Sequence, residues 1–174
     1  MDAFFERISN YQFLNNLLPG TIFVIILNSF TSFIIENDNI LILLFICYFF
    51  GFVISRIGSL VVEPILENMK FVRFKTHSEY ISASLKDKKI DLLMEHNNLF
   101  RSFIAMLLLV GFVMIYDKLQ TICPFLERNN MIIFLVLLIF LFLFSFRKQT
   151  IYISNRIEYY ENKKEDFKNE TGNI

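Results

Sequence analysis

The sequence predicts an all-α integral membrane protein with four transmembrane helices, and three observations carry that expectation. The 174 residues are 55% hydrophobic with a mean hydropathy of +0.48, above the roughly 45–50% apolar share of a soluble domain. The apolar residues gather into runs, and those at 40–50, 103–116 and 131–146 hold no charged side chain. Charge is segregated along the chain even though 17 Lys and Arg balance 17 Asp and Glu. That balance argues against nucleic-acid binding through bulk charge. Cys47 and Cys123 form neither a disulfide framework nor a metal-ligand spacing. Asp2 and Glu6 stand against Arg7 at the start, and no small-x-small cleavage site follows the first apolar run, so no cleavable signal peptide is predicted.

In chain order, residues 1–20 carry Phe4, Ile8, Tyr11, Leu14 and Leu18 at three- and four-residue spacing with polar residues between them. This reads as a short amphipathic helix on the membrane surface or as a frayed terminus. Pro19-Gly20 is expected to break or bend the chain. The first span follows to about Ile35 and carries Asn28, Ser29, Thr31 and Ser32. Polar groups inside a span usually hydrogen-bond a neighbouring helix; lining a polar pathway is the alternative for Asn28. Residues 36–39, ENDN, form a tight turn, so spans one and two make a hairpin.

The second span, 40–62, covers about 34 Å as a helix, enough to cross a bilayer. Its latter half holds Gly51, Ser55 and Ser59 at four-residue spacing, with Gly58 beside them and Arg56 among them, and Glu63-Pro64 closes the run. A polar segment then extends to about Asn98. Within it Thr76-His77-Ser78-Glu79 fits a capping box, predicting a helix over about 77–86. A further helix from about Asp87 runs into the third span, 99–116. The fourth span, 131–146, is nearly all Ile, Leu and Phe, predicts a lipid-facing helix, and stops at Arg147-Lys148. In the tail, Ile153, Ile157 and Tyr160 share a helical face until charge dissolves the helix near Asn169. The expected division is an interfacial segment (1–20), a first hairpin (21–62), a cytosolic helical segment (63–98), a second hairpin (99–146) and a tail (147–174).

Lys and Arg set the orientation. The N-terminal segment has one, residues 56–101 eight and the tail six, against two in 117–130 and none in 36–39. Basic residues accumulate on the cytoplasmic side. Four spans in the inner (plasma) membrane with both termini cytosolic are therefore expected.

Three constellations stand out. Arg56 and Glu63 are two helical turns apart on one face, and Arg101 enters the antiparallel third span at matching depth. An Arg inside the membrane costs about 2.5–3.5 kcal/mol on insertion scales. A carboxylate partner or a wet cavity would explain it. The readings are a charged gate at the inner mouth of a pore, or snorkelling with an Arg–Glu clamp. Gly51, Ser55, Gly58 and Ser59 let two helices approach closely, within the chain or between copies; four short spans enclose little, which favours a homo-oligomer. His96, Asn97 and Asn98 sit at the entrance to the third span, where they either bind a headgroup or small anion or hydrate a membrane-surface helix. His77 and His96 lack companions at ligand spacing, so no metal or other cofactor is predicted. No phosphate loop, nucleophile elbow or paired carboxylates appear, so no enzyme is predicted.

What remains is an oligomeric membrane component that conducts or perturbs the bilayer, or a non-conducting scaffold that recruits a soluble cytosolic partner through 64–98 and the tail. A pore needs a wettable stripe, and Asn28, Ser32, Ser55, Arg56 and Ser59 offer a partial one. The runs ISRIGSLVVEPIL and EHNNLFRSFIA, in a small chain with four expected spans and a basic cytosolic segment, resemble small four-helix membrane subunits of bacterial anti-phage defence systems, such as the membrane component of Kiwa-type systems. The resemblance is one of architecture and assigns no functional residue. It implies a subunit that senses or disrupts the membrane beside a soluble cytosolic partner.

Overall fold

The computed structural model describes the backbone of residues 2–171 and the side chains of 13–162 except Leu14 and His77. The chain is all-helical over the described residues: α1 (Asp2–Phe30), α2 (Ile40–Ile57), a π-helical turn (Gly58–Val62), α3 (Glu63–Asn68), α4 (His77–Ser84), α5 (Lys89–Ile122), α6 (Pro124–Arg128) and α7 (Asn130–Thr171). Three stretches are long and apolar enough to cross a membrane, Ile40–Asn68, Lys89–Ile122 and Asn130–Asn162. They mark a membrane-embedded protein. The sequence predicts four. Among the described residues the remaining apolar stretch is the shorter Asn15–Phe30, the latter part of the 29-residue α1.

α1 also departs from expectation because it runs on through Pro19 without a break. A proline removes one backbone donor, but here Pro19 and Gly20 are both buried, packed at the α1–α2 interface. A Cβ on Gly20 would stand 1.9 Å from the Cys47 carbonyl oxygen, and one on Gly51 would stand 1.7 Å from that of Asn16. Four residues forward on α1 thus match four back on α2, so the helices are antiparallel with their backbones nearly touching. The side chains of Phe4, Ile8, Tyr11 and Leu14, the expected amphipathic face, lie outside the described ones.

α1 ends where polar side chains compete for the backbone. Asn28 accepts from the Ile35 amide (2.9 Å) and donates to the Ile35 carbonyl (3.0 Å), replacing helical bonds in the 31–39 connector. The Ser32 amide donates to Asp117 of α5 at 3.1 Å, and the Ser32 hydroxyl donates to the same carboxylate. Asn39 then caps α2 by accepting from the Leu41 amide. Phe23 and Leu27 of α1, Ile54 of α2, Val62 of the π turn, and Ala105, Met106 and Val110 of α5 form the core. α7 leans on this three-helix core through Phe142, stacked on Phe52 at 6.0 Å, and no residue of its apolar window is fully buried.

Beyond the spans, α3 ends in a reverse turn in which Phe71 and Lys70 amides donate to the Leu66 and Glu67 carbonyls, with Lys70 left-handed at φ 58°. The expected capping box is present: Thr76 accepts from the Glu79 amide and Glu79 from the Thr76 amide. These bonds hold the Glu79 carboxyl below its ordinary value. α4 packs between α5 and α7, and the Tyr80 hydroxyl donates to Asp91 at 2.9 Å. Burial, then this carboxylate, pushes the Tyr80 pKa up to about 12.

Two outcomes follow from this packing. Gly51→Ala must separate α1 from α2 and should lower the unfolding midpoint in detergent. Gly111→Ala, which meets nothing within 4 Å, should raise stability by up to about 1 kcal/mol through helix propensity. For Tyr80, a folded pKa above the free value of about 10 means its contribution is complete below pH 10 and is lost as pH climbs toward 12. Hydrogen exchange of α4 amides should therefore show an alkaline loosening step above pH 10 that Tyr80→Phe abolishes.

Candidate functional site: a charge cluster at one end of the bundle

Pro64 is the local cause of the site. It has no N–H, so it cannot donate to the Leu60 carbonyl as an α-helix requires. The chain passes into a π turn, and the Glu63 amide donates to Gly58 rather than Ser59. The Ser59 carbonyl then lacks both possible backbone donors: Glu63 is engaged one residue back, and Pro64 has none. In a membrane such a freed carbonyl must find a partner elsewhere.

Lys148 of α7 supplies it. Its ammonium donates to the Ser59 carbonyl (2.7 Å), the Ser59 hydroxyl (2.9 Å) and Glu63 Oε1 (3.0 Å), which occupies all three of its protons. Glu63 Oε2 accepts from Arg101 Nη1 of α5. Glu63, with 15% of its side chain exposed, thus joins α3, α5 and α7. A Cβ on Gly58 would stand 3.4 Å from the Arg101 Cγ and 3.5 Å from the Ala105 Cβ, so α5 passes this position with room for only a small side chain.

Arg56 sits in the last turn of α2, two residues before the π turn. Its guanidinium lies over the Phe52 ring, 5.2 Å from the centroid, and its Nε is buried without a hydrogen-bond partner. Among the described residues no carboxylate lies within ion-pair distance of Arg56. The cluster therefore holds three cations, Arg56, Arg101 and Lys148, around one carboxylate. Arg56, Ser59, Ser145, Lys148, Gln149 and Tyr152, with Leu60, line a recess of about 20 Å³.

The structure brings Ser59, Glu63, Arg101 and Arg56 together, and places the other expected site residues elsewhere. Asn28 is at the opposite end, tied to Ile35. Ser55 is buried, and Gly51 and Gly58 face α1 and α5 of the same chain. The small-residue stripe thus packs within the subunit. His96 and Asn97 are exposed, and Asn98 accepts from Ser102 through its carbonyl (3.0 Å); none of the three touches the cluster. Sequence reasoning pairs Glu63 with an arginine and misses Lys148. The signal was present: Lys148 ends the fourth apolar run at the depth where Glu63 ends the second.

No protein-family model, no curated protein and no solved structure matches the chain.

Removing the one carboxylate strands several cations, and breaking a buried pair this way costs about 3–5 kcal/mol. Glu63→Gln should therefore destabilise the chain in SDS-titrated mixed micelles by that amount. Lys148→Met, which leaves the Glu63–Arg101 pair intact, should cost less.

Proposed function

We propose that the chain is the membrane-embedded subunit of a sensor–effector pair: a helical bundle, non-conducting by itself, that recruits a soluble cytosolic partner through residues 64–98 and the extension of α7. One observation carries the reading. α7 continues as one unbroken helix past its apolar part, from Lys148 to Asn162 about 21 Å further. α4 packs against it there, and Ile153 and Ile157 remain exposed. A helix that only closed a bundle has no need of that length or of apolar groups outside the bilayer.

The non-conducting half of the proposal is supported by the state of the polar residues that a pore would use. Asn28, Ser32 and Ser59 are committed to bonds within the chain, and Ser55 is buried. The Lys and Arg distribution supports four spans with both termini in the cytosol of a bacterial inner membrane. The likeness to membrane subunits of anti-phage systems supports a defensive role.

One observation favours a second reading, an oligomeric pore or membrane-perturbing effector. None of α7's apolar window is buried within the chain, so a second copy has a long face on which to pack.

Dye-loaded liposomes separate the two. The wild-type chain, shown to be inserted, should leave the dye inside, while in-cell photo-crosslinking from position 157 should trap a soluble protein whose yield drops severalfold in Phe71→Asp. Leakage that Arg56→Ala changes would overturn the scaffold reading in favour of the pore.

A further inference from the structure

The cluster around Glu63 is unbalanced. Glu63 neutralises one of three cations, so two positive charges stand in excess at the end of the apolar runs. Lys148 has no proton left to donate. Arg56 differs: its Nε is buried and unpartnered, and so is the hydroxyl of Ser145 on α7. Both residues line the same recess, together with Gln149.

A buried guanidinium N–H and a buried hydroxyl without partners each cost stability unless something fills the gap. The recess, at about 20 Å³, has room for one oxygen atom rather than a whole ligand. A single water would satisfy two donors but would leave the excess charge uncompensated. An oxygen of a phosphate satisfies both demands, since it accepts several hydrogen bonds and brings negative charge.

The depth of the site matches this chemistry. The last apolar residue of the fourth run is Phe146, and Arg147, Lys148 and Gln149 follow it. On α5, Arg101 and Asp117 are sixteen residues apart, about 24 Å of rise, less than the ~30 Å of a hydrocarbon core, so the cluster lies at or just inside one edge of the apolar layer, within reach of a phospholipid phosphate. Alongside, Phe49 and Phe52 of α2 meet Phe142 of α7, an apolar seam leading from the recess toward the bilayer centre.

We propose that Arg56, Ser145 and Gln149 form a phosphate site between α2 and α7, in which one oxygen of an anionic phosphate ester enters the recess and the rest of the group rests at its mouth. Arg56 supplies the charge and a hydrogen bond from Nε, Ser145 donates its hydroxyl, and Lys148 adds field without a bond. A phosphate diester of an anionic phospholipid or a soluble phosphate monoester has the required chemistry.

Native mass spectrometry of the full-length chain tests this. The chain is released from detergent with phosphatidylglycerol, phosphatidylcholine or glycerol 3-phosphate added in equal amounts. Phosphatidylglycerol adducts should exceed phosphatidylcholine adducts, whose ammonium the excess charge repels. Arg56→Gln should reduce them about tenfold, the loss of one charge-assisted hydrogen bond, and Ser145→Ala should reduce them less. Arg128→Gln, at the other end of the bundle, should leave them unchanged. Glycerol 3-phosphate binding as well as the lipid, with the same dependence on Arg56, would keep the phosphate site and name a soluble ligand as its source. Equal adducts in wild type and Arg56→Gln, or equal retention of both lipids, would overturn the proposal and leave the recess to water. If Arg56→Gln does not fold, Ser145→Ala decides alone: unchanged phosphatidylglycerol retention in it overturns the site.

Discussion

The structure depends on the Glu63 carboxylate. It is the point at which three helices that share little else are fastened: one oxygen takes Arg101 of α5, the other takes Lys148 of α7. In lipid there is no hydrophobic drive to bring apolar helices together, so packing and polar contacts must do it. The α1–α2–α5 core has packing of that kind. α7 meets α2 through Phe142 and packs against α4 beyond the apolar run, and its ammonium contacts at Ser59 and Glu63 tie it to the end of α2.

The same residue pair, Glu63-Pro64, creates both halves of the attachment. Proline forces the π turn, the π turn frees the Ser59 carbonyl, and Lys148 takes it up beside Glu63. A turn that in an ordinary helix is a defect becomes here the acceptor set for a cation on another helix. At the far end, Asp117 fastens α5 to the α1–α2 connector through Ser32 in a comparable way. The apolar middle is thus clamped by a carboxylate at each end, while Gly20 and Gly51 bring α1 and α2 close between them.

Much of this is legible in the sequence, for reasons that differ by element. The runs at 40–62, 99–116 and 131–146 stand out because hydropathy is summed over many residues, and the capping box at 76–79 because it is wholly local. Arg56, Glu63 and Arg101 are visible because charge inside an apolar run needs a cause. Other features were hidden because they depend on tertiary contact. The continuity of α1 through Pro19 reflects burial against α2, which a local breaker rule does not register. Asn28 reads as a polar residue in a span, yet it serves as a surrogate peptide group for Ile35. Lys148 reads as a topology marker and turns out to be a ligand of Glu63, because the π turn that frees Ser59 cannot be seen without the hydrogen-bond pattern.

The most direct test of this account is a double-mutant cycle between Glu63 and Lys148, measured as unfolding free energy in lipid–detergent mixtures. If Glu63 fastens α7 to the bundle, Glu63→Gln and Lys148→Met should couple by about 1–3 kcal/mol, with the double variant far less destabilised than the sum of the singles. Strict additivity would contradict it, and would mean that α7 is held in place by the Lys148 bonds to Ser59 and by its other contacts, not through Glu63.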